Sequence, residues 1–293
     1  MSPIRFTRRQ VLQIGGVSLL TSAITRSLHA QTTKPKQILY FTKSSGFEHS
    51  VVQRKNGALS HSETILVEMG KRHGFEVTPS KDGRIFEGDH LKYDGYVFYT
   101  SGDLTTVGQD QAPAMTAAGK QALLEAVSQG KGFVGIHAAT DTFREASGAG
   151  KVDPFIAMLG GEFVSHGEQQ KARMTVVNPA FPGLQALGGG FELLDEWYAQ
   201  KNFAPDLHVL LVNETKGMKG DMYDRPPFPG TWARRHDKGL VFYTSLGHRE
   251  DVWTNPLFEQ IVVGGLQWAT GQVQIETPAN IDKVTPGAGT LGR

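Results

Sequence analysis

The chain has 293 residues, with 30 basic and 29 acidic side chains and no cysteine. Disulfides, thiolate nucleophiles and cysteine-ligated metals are therefore excluded. A nearly balanced charge offers no broad basic face to nucleic acid or anionic lipid.

The first 30 residues stand apart. They carry Arg5, Arg8, Arg9 and Arg26 and no acid. Arg8-Arg9 precedes a short apolar run from Val11 to Leu20, and Ala30 supplies a small residue at a cleavage point. This order predicts a twin-arginine export signal over 1–30 and a periplasmic or secreted product. The run is too short to span a bilayer, so no membrane span is expected once the signal is removed. The remainder, slightly acidic without those arginines, suits one large α/β domain.

Continuous apolar runs then recur. Ile38 to Thr42, Val97 to Tyr99, Gly132 to Ile136, Leu207 to Val212 and Val241 to Thr244 lack alternation, as expected of strands buried on both faces of a parallel sheet. Helical patterns lie between them. Leu59, Ile65, Leu66 and Met69 share a face before Gly74, and Thr116 to Gln129 ends at Gly130. Asn255-Pro256 is a cap and first-turn pair ahead of Phe258, Ile261, Val262 and Leu266. The alternation predicts an α/β fold, a flavodoxin-like doubly wound and mostly parallel sheet. Residues 161–236 read as short strands broken by Gly and Pro, either added to the sheet or inserted. From Gly271 onward no apolar period survives, and an extended tail over 271–293 is expected.

In open α/β sheets, ligands bind beyond the carboxyl ends of the strands. The residues following the runs include His49, Ser101, Asp103, His137, Asp141, His248 and Arg249. His49, His137, His248 and Asp141, with Glu196 from Asp195-Glu196-Trp197-Tyr198, form the candidate catalytic set. Strand alternation sends Asp195 and Trp197 one way and Glu196 and Tyr198 the other. Ser101, Asp103, Trp197, Trp232 and Arg249 are candidate substrate contacts, because rings pack on sugar C–H faces while polar groups read hydroxyls. His49, His137, His166, His248 and Glu196 could also hold a divalent metal, although no pair has local ligand spacing. There is no phosphate-binding glycine loop, dinucleotide fingerprint, His-Glu-x-x-His or serine elbow. His137 stands where an elbow nucleophile would, and histidine there suits acid/base work or metal ligation.

Four segments resemble the ThuA (trehalose utilisation) family: Gly46-Phe47-Glu48-His49, the run from Gly132 to Thr142, Asp195 to Tyr198, and Tyr243 to His248. The resemblance spans 36–270 in order. It implies a class I glutamine-amidotransferase-like fold linked to disaccharide and keto-sugar metabolism. The amidotransferases carry cysteine where this chain has His137, so glutaminase activity is excluded. The expectation is an exported protein with a small-molecule carbohydrate partner, acting on a disaccharide or keto-sugar derivative by His/carboxylate acid/base chemistry. The alternative is a non-catalytic sugar-binding or interaction module on the same scaffold.

Overall fold

The computed structural model describes residues 34–109, 111–145 and 150–292. The predicted export signal lies outside these residues. Strands β1 (Lys36–Phe41), β2 (Phe75–Ser80), β3 (Gly95–Phe98) and β4 (Gly132–Ile136) come first, with helices α1 (His61–His73) and α2 (Ala117–Ser128) between them. Helix α3 (Pro154–Leu159) leads into six strands: β5 (Glu162–His166), β6 (Gln170–Val176), β7 (Gly190–Asp195), β8 (Tyr198–Lys201), β9 (His208–Glu214) and β10 (Phe228–His236). Strand β11 (Gly239–Thr244) and helices α4 (Glu250–Trp253), α5 (Pro256–Ala269) and α6 (Ile281–Val284) complete the chain.

Among the described residues, nine strands form one sheet in the order β2-β1-β3-β4-β11-β10-β9-β6-β7, and β5 pairs with β8 in a second. The first five are mutually parallel, and their order is that of a doubly wound flavodoxin-like sheet. Beyond β11 the pairing turns antiparallel. The apolar run Leu207 to Val212 was expected among the parallel strands, but β9 runs antiparallel to β10 and β6. A continuous run reports burial on two faces and not direction. Here the C-terminal segment adds to that burial: Ile281 packs in one cluster with Leu207, Val209 and Val212, while Asn280 brackets the free edge of β9 at Val209, accepting its N–H at 2.6 Å and donating to its carbonyl at 3.1 Å. The segment expected to be an extended tail is thus docked and carries the short helix α6.

Local chemistry sets the helix ends. Ser60 and Glu63 form a reciprocal capping box at α1, which Gly74 closes in the left-handed conformation. Asn255 caps α5 through the Leu257 N–H, with Pro256 in the first turn. Glu63 is fully buried yet accepts bonds from Thr42 and Arg54, so the same carboxylate ties α1 to the end of β1.

Candidate functional site

The sheet order reverses between β1 and β3, and the loops leaving these strands approach one another closely. Gly102 has φ +73°, and a Cβ there would stand 2.2 Å from the Gly46 nitrogen. Only glycine meets both demands. Ser101, expected as a substrate contact, is buried and donates its hydroxyl to the Phe47 carbonyl at 2.7 Å. Its role is to hold the loop that carries His49. Lys81 grips the same loop, bonding Glu48 and the Thr42 carbonyl, each at 3.0 Å.

His137 follows β4 directly and takes φ +43°, a left-handed conformation that costs a non-glycine residue about 1–3 kcal/mol. Surrounding bonds over-determine it. The Tyr243 hydroxyl donates to the His137 carbonyl at 2.8 Å, and Gln200 donates to that hydroxyl at 2.9 Å. Nδ1–H donates to the Ser245 carbonyl at 2.7 Å, which fixes the tautomer and leaves Nε2 with a free lone pair. Nε2 is buried with no hydrogen-bond partner. On the loop after β11, Gly247 is held through both backbone groups. Its N–H reaches Asp195 at 2.8 Å, and its carbonyl accepts from Tyr99 and Trp253. His248 is thereby pinned beside His137.

The three rings of His49, His137 and His248 form a nearly equilateral triangle, each pair of centroids 5.2 Å apart. Glu196, on the connection from β7 to β8, completes the group. Its Oε2 lies 3.5 Å from His137 Nε2 and 3.2 Å from His248 Nδ1, and its Oε1 lies 3.2 Å from His166 Nδ1. One ligand atom from each of His49, His137, Glu196 and His248 can be chosen so that all four lie within 4.8 Å of one another. Two ligand atoms on one zinc ion sit at most about 4 Å apart, so a small side-chain contraction would close the set. His166 stands outside this group, half-exposed, bonding the Gly167 carbonyl as well as Glu196.

Electrostatics sharpen the picture. Burial, then the crowding of two further imidazoles, His137 and His248, against any positive charge on it, push His49 down to about 2, so its ring is neutral. Its Nδ1 is buried without a partner while Nε2 is 3.2 Å from the Tyr198 hydroxyl. Burial by itself would raise Glu196, but the adjacent His137 and His248 nitrogens outweigh it and hold the carboxyl well below the usual range. Asp141 behaves oppositely: burial raises it to about 6 against the pull of Arg144, whose Nε is 2.8 Å away. Asp141 lines the pocket above the triad, a cavity of about 500 Å³ walled also by Phe47, Arg144, Phe163, His166 and Tyr198.

The remaining expected contacts fall elsewhere. Trp197 and Trp232 are core residues: their indole N–H groups are satisfied by the carbonyls of Gln170 and Leu159, and burial leaves neither ring a face for a ligand. Arg249 pairs with Asp251 and Gln169, away from the cavity. Asp103 lies in an adjoining cavity. The aromatic walls are instead Phe47, exposed beside His49, together with Phe163 and Tyr198. Tyr198 was within reach of the alternation argument, which put it on the side of Glu196. Arg144 and Phe163 carried no comparable signal.

Comparison with known proteins agrees with this architecture. A thua-like protein from Bacteroides uniformis is 19% identical with a TM-score of 0.59, covering 83% of this chain and 94% of its own. One from Parabacteroides merdae is 16% identical with a TM-score of 0.60, covering 88% and 97%. A cytoplasmic protein from Salmonella typhimurium is 12% identical with a TM-score of 0.53, covering 79% and 98%. At such identities the likeness is one of fold. No curated protein sequence matches. The family model described as ThuA, trehalose utilisation, matches residues 37–269, and the chain belongs to that family.

Proposed function

We propose that the protein is an exported, divalent-cation-dependent enzyme of carbohydrate utilisation, acting on a disaccharide or keto-sugar derivative in the cavity above His49, His137 and His248. The observation that carries this reading is the unsatisfied triad. Three imidazoles stand at mutual distances of 5.2 Å around one carboxylate, and three of their buried nitrogens, His49 Nδ1, His137 Nε2 and His248 Nδ1, make no hydrogen bond, the last two having only Glu196 nearby at 3.5 and 3.2 Å. Buried polar atoms without partners call for an explanation, and a shared cation is one that satisfies them together. Nitrogen and carboxylate donors suit zinc or another first-row ion. When bound, such an ion polarises a sugar oxygen as a Lewis acid.

The chain's own residues supply the rest. The Ser245 carbonyl accepts from His137 Nδ1 and leaves the Nε2 lone pair for the ion, and in the tautomer of His49 that donates Nε2–H to the Tyr198 hydroxyl, Nδ1 is left for it too. Phe47, exposed at the cavity wall, offers its ring to a sugar. Asp141, raised to about 6, is divided between acid and base near neutral pH, as a proton carrier requires. Export is supported by the twin arginine and short apolar run of the first 30 residues. Among the described residues no helix is long and apolar enough to cross a membrane.

The test is elemental analysis of protein purified without a histidine tag, joined to turnover assays on disaccharides and 3-keto-glycosides. One equivalent of ion per chain is expected, with turnover lost on chelation and restored by the ion. Full turnover by metal-free protein would overturn the cation, and absence of turnover on every sugar tried would overturn the enzyme.

A further inference from the structure

A second cavity, of about 660 Å³, adjoins the first and shares Gly102 and Arg144 with it. Its other walls include Asp103, Thr105, Lys120, Phe143 and Asp153. Both cavities fall in the size range of small-molecule sites, ~300–1,000 Å³. We infer that the second cavity is a subsite for the second ring of a two-ring glycoside, which straddles Arg144 with its reacting ring over the histidines. The inference rests on the carbohydrate reading and extends it.

Chemistry distinguishes the two chambers. The first has an exposed aromatic ring at Phe47, with Phe163 also in its wall between Tyr198 and Arg144. Among the described residues that line the second, the only ring is Phe143, which is largely buried and lies under the Lys120 ammonium, 3.7 Å from its centroid. No ring face is left for stacking there. Recognition falls to polar groups, and these are mixed in sign: the ammonium of Lys120 is paired to Asp153 at 2.6 Å, and Arg144 is paired to Asp141 at 2.8 Å. Cations already neutralised in this way suit a ligand that is uncharged and rich in hydroxyls, since an anion would have to displace their partners. Asp103 is set to accept from it. Its Oδ1 takes the Thr105 N–H at 2.9 Å and hydroxyl at 2.6 Å, while Oδ2 has no bond to the protein among the described residues.

The divider is half rigid and half adjustable. Gly102 is fixed by bonds from its N–H to the Asp141 carbonyl and to its own carbonyl from the Phe143 N–H, each 3.0 Å. The Arg144 side chain is half-exposed and rests against Phe163, with 5.5 Å between guanidinium carbon and ring centroid. A ligand crossing from one chamber to the other therefore meets a bare backbone floor and one long side chain.

Calorimetric titration of the metal-replete chain with methyl α-glucoside and with an α-linked glucose disaccharide, trehalose, tests the subsite. One or two added hydrogen bonds predict about tenfold tighter binding of the disaccharide. Thr105→Trp, which fills the second chamber from an exposed position, and Asp103→Asn, which keeps the turn-forming oxygen, should each reduce that ratio to about twofold. Equal affinity for the two sugars in the parent chain, or an undiminished ratio in Thr105→Trp, overturns the subsite alone. Binding of neither sugar overturns the carbohydrate reading and this inference with it.

Discussion

The two halves of the large sheet contribute different things to one place. The parallel half presents three imidazoles from loops at the carboxyl ends of β1, β4 and β11. The antiparallel half and the β5-β8 ribbon bring Glu196, His166 and Tyr198, and back them with Gln200 and Asp195. Strand direction explains the division. Parallel neighbours end on the same side, so their loops converge without further instruction, whereas an antiparallel region must be steered there by particular bonds. Asp195 is such a bond: it receives the Gly247 and Arg249 N–H groups and so fastens the end of β7 to the loop that carries His248.

The comparison breaks most visibly in the core. Trp232 on β10 is wholly buried against Tyr243 of β11, where the two halves meet, with ring centroids 4.2 Å apart. Trp232→Ala should cost about 3–5 kcal/mol in denaturant unfolding. A cost below about 1 kcal/mol would mean that the seam between the halves is not held by this packing.

A smaller effect separates the proposed ligand Glu196 from its support within the antiparallel contribution. Glu196→Gln should weaken zinc binding at least about hundredfold, and His166→Ala, which removes only a partner of Glu196, about tenfold. Titration calorimetry reads both. Equal losses would place His166 inside the ligand set and erase the distinction.

The smallest effect contrasts the carboxyls of the two halves, Glu196 being held low and Asp141 raised to about 6 from an ordinary 3.8. Between pH 4 and 6 the folded chain keeps a proton on Asp141 that the unfolded chain has released. Stability from this group therefore falls as pH rises through that window. Asp141→Asn carries no such dependence, so its advantage over the parent should grow across the window to about 1–2 kcal/mol and then level off. Thermal midpoints of both proteins at pH 4 and pH 7 check the sign. An advantage that shrinks with pH would show that the Arg144 pair governs Asp141 more than burial does.

Legibility in the sequence followed the same division. The runs ending near Phe41, Tyr99, Ile136 and Thr244 are all parallel strands, and the residues just beyond them include the three clustered histidines. In the antiparallel half, burial under the C-terminal segment made β9 look like a parallel strand, and the tryptophans invited a ligand-binding role that their satisfied N–H groups deny. Arg144 and Phe163 reach the cavity through tertiary placement, one beyond a 3-10 turn and the other on a short ribbon strand, and neither position has a periodic pattern that marks it. Asp195 and Glu196 take different partners, Asp195 fastening the Gly247 loop and Glu196 lying against the imidazoles, although Glu196 falls between β7 and β8, where alternation no longer applies.

The left-handed backbone at His137 has an evolutionary consequence. Glycine or asparagine would sit there with less backbone strain, which offsets part of the packing and hydrogen bonding lost with the imidazole, so drift at this position meets less resistance than at an unstrained buried site. Most sites lose stability when they mutate. This one loses less, and a lineage that ceased to need its imidazole would be expected to surrender it early.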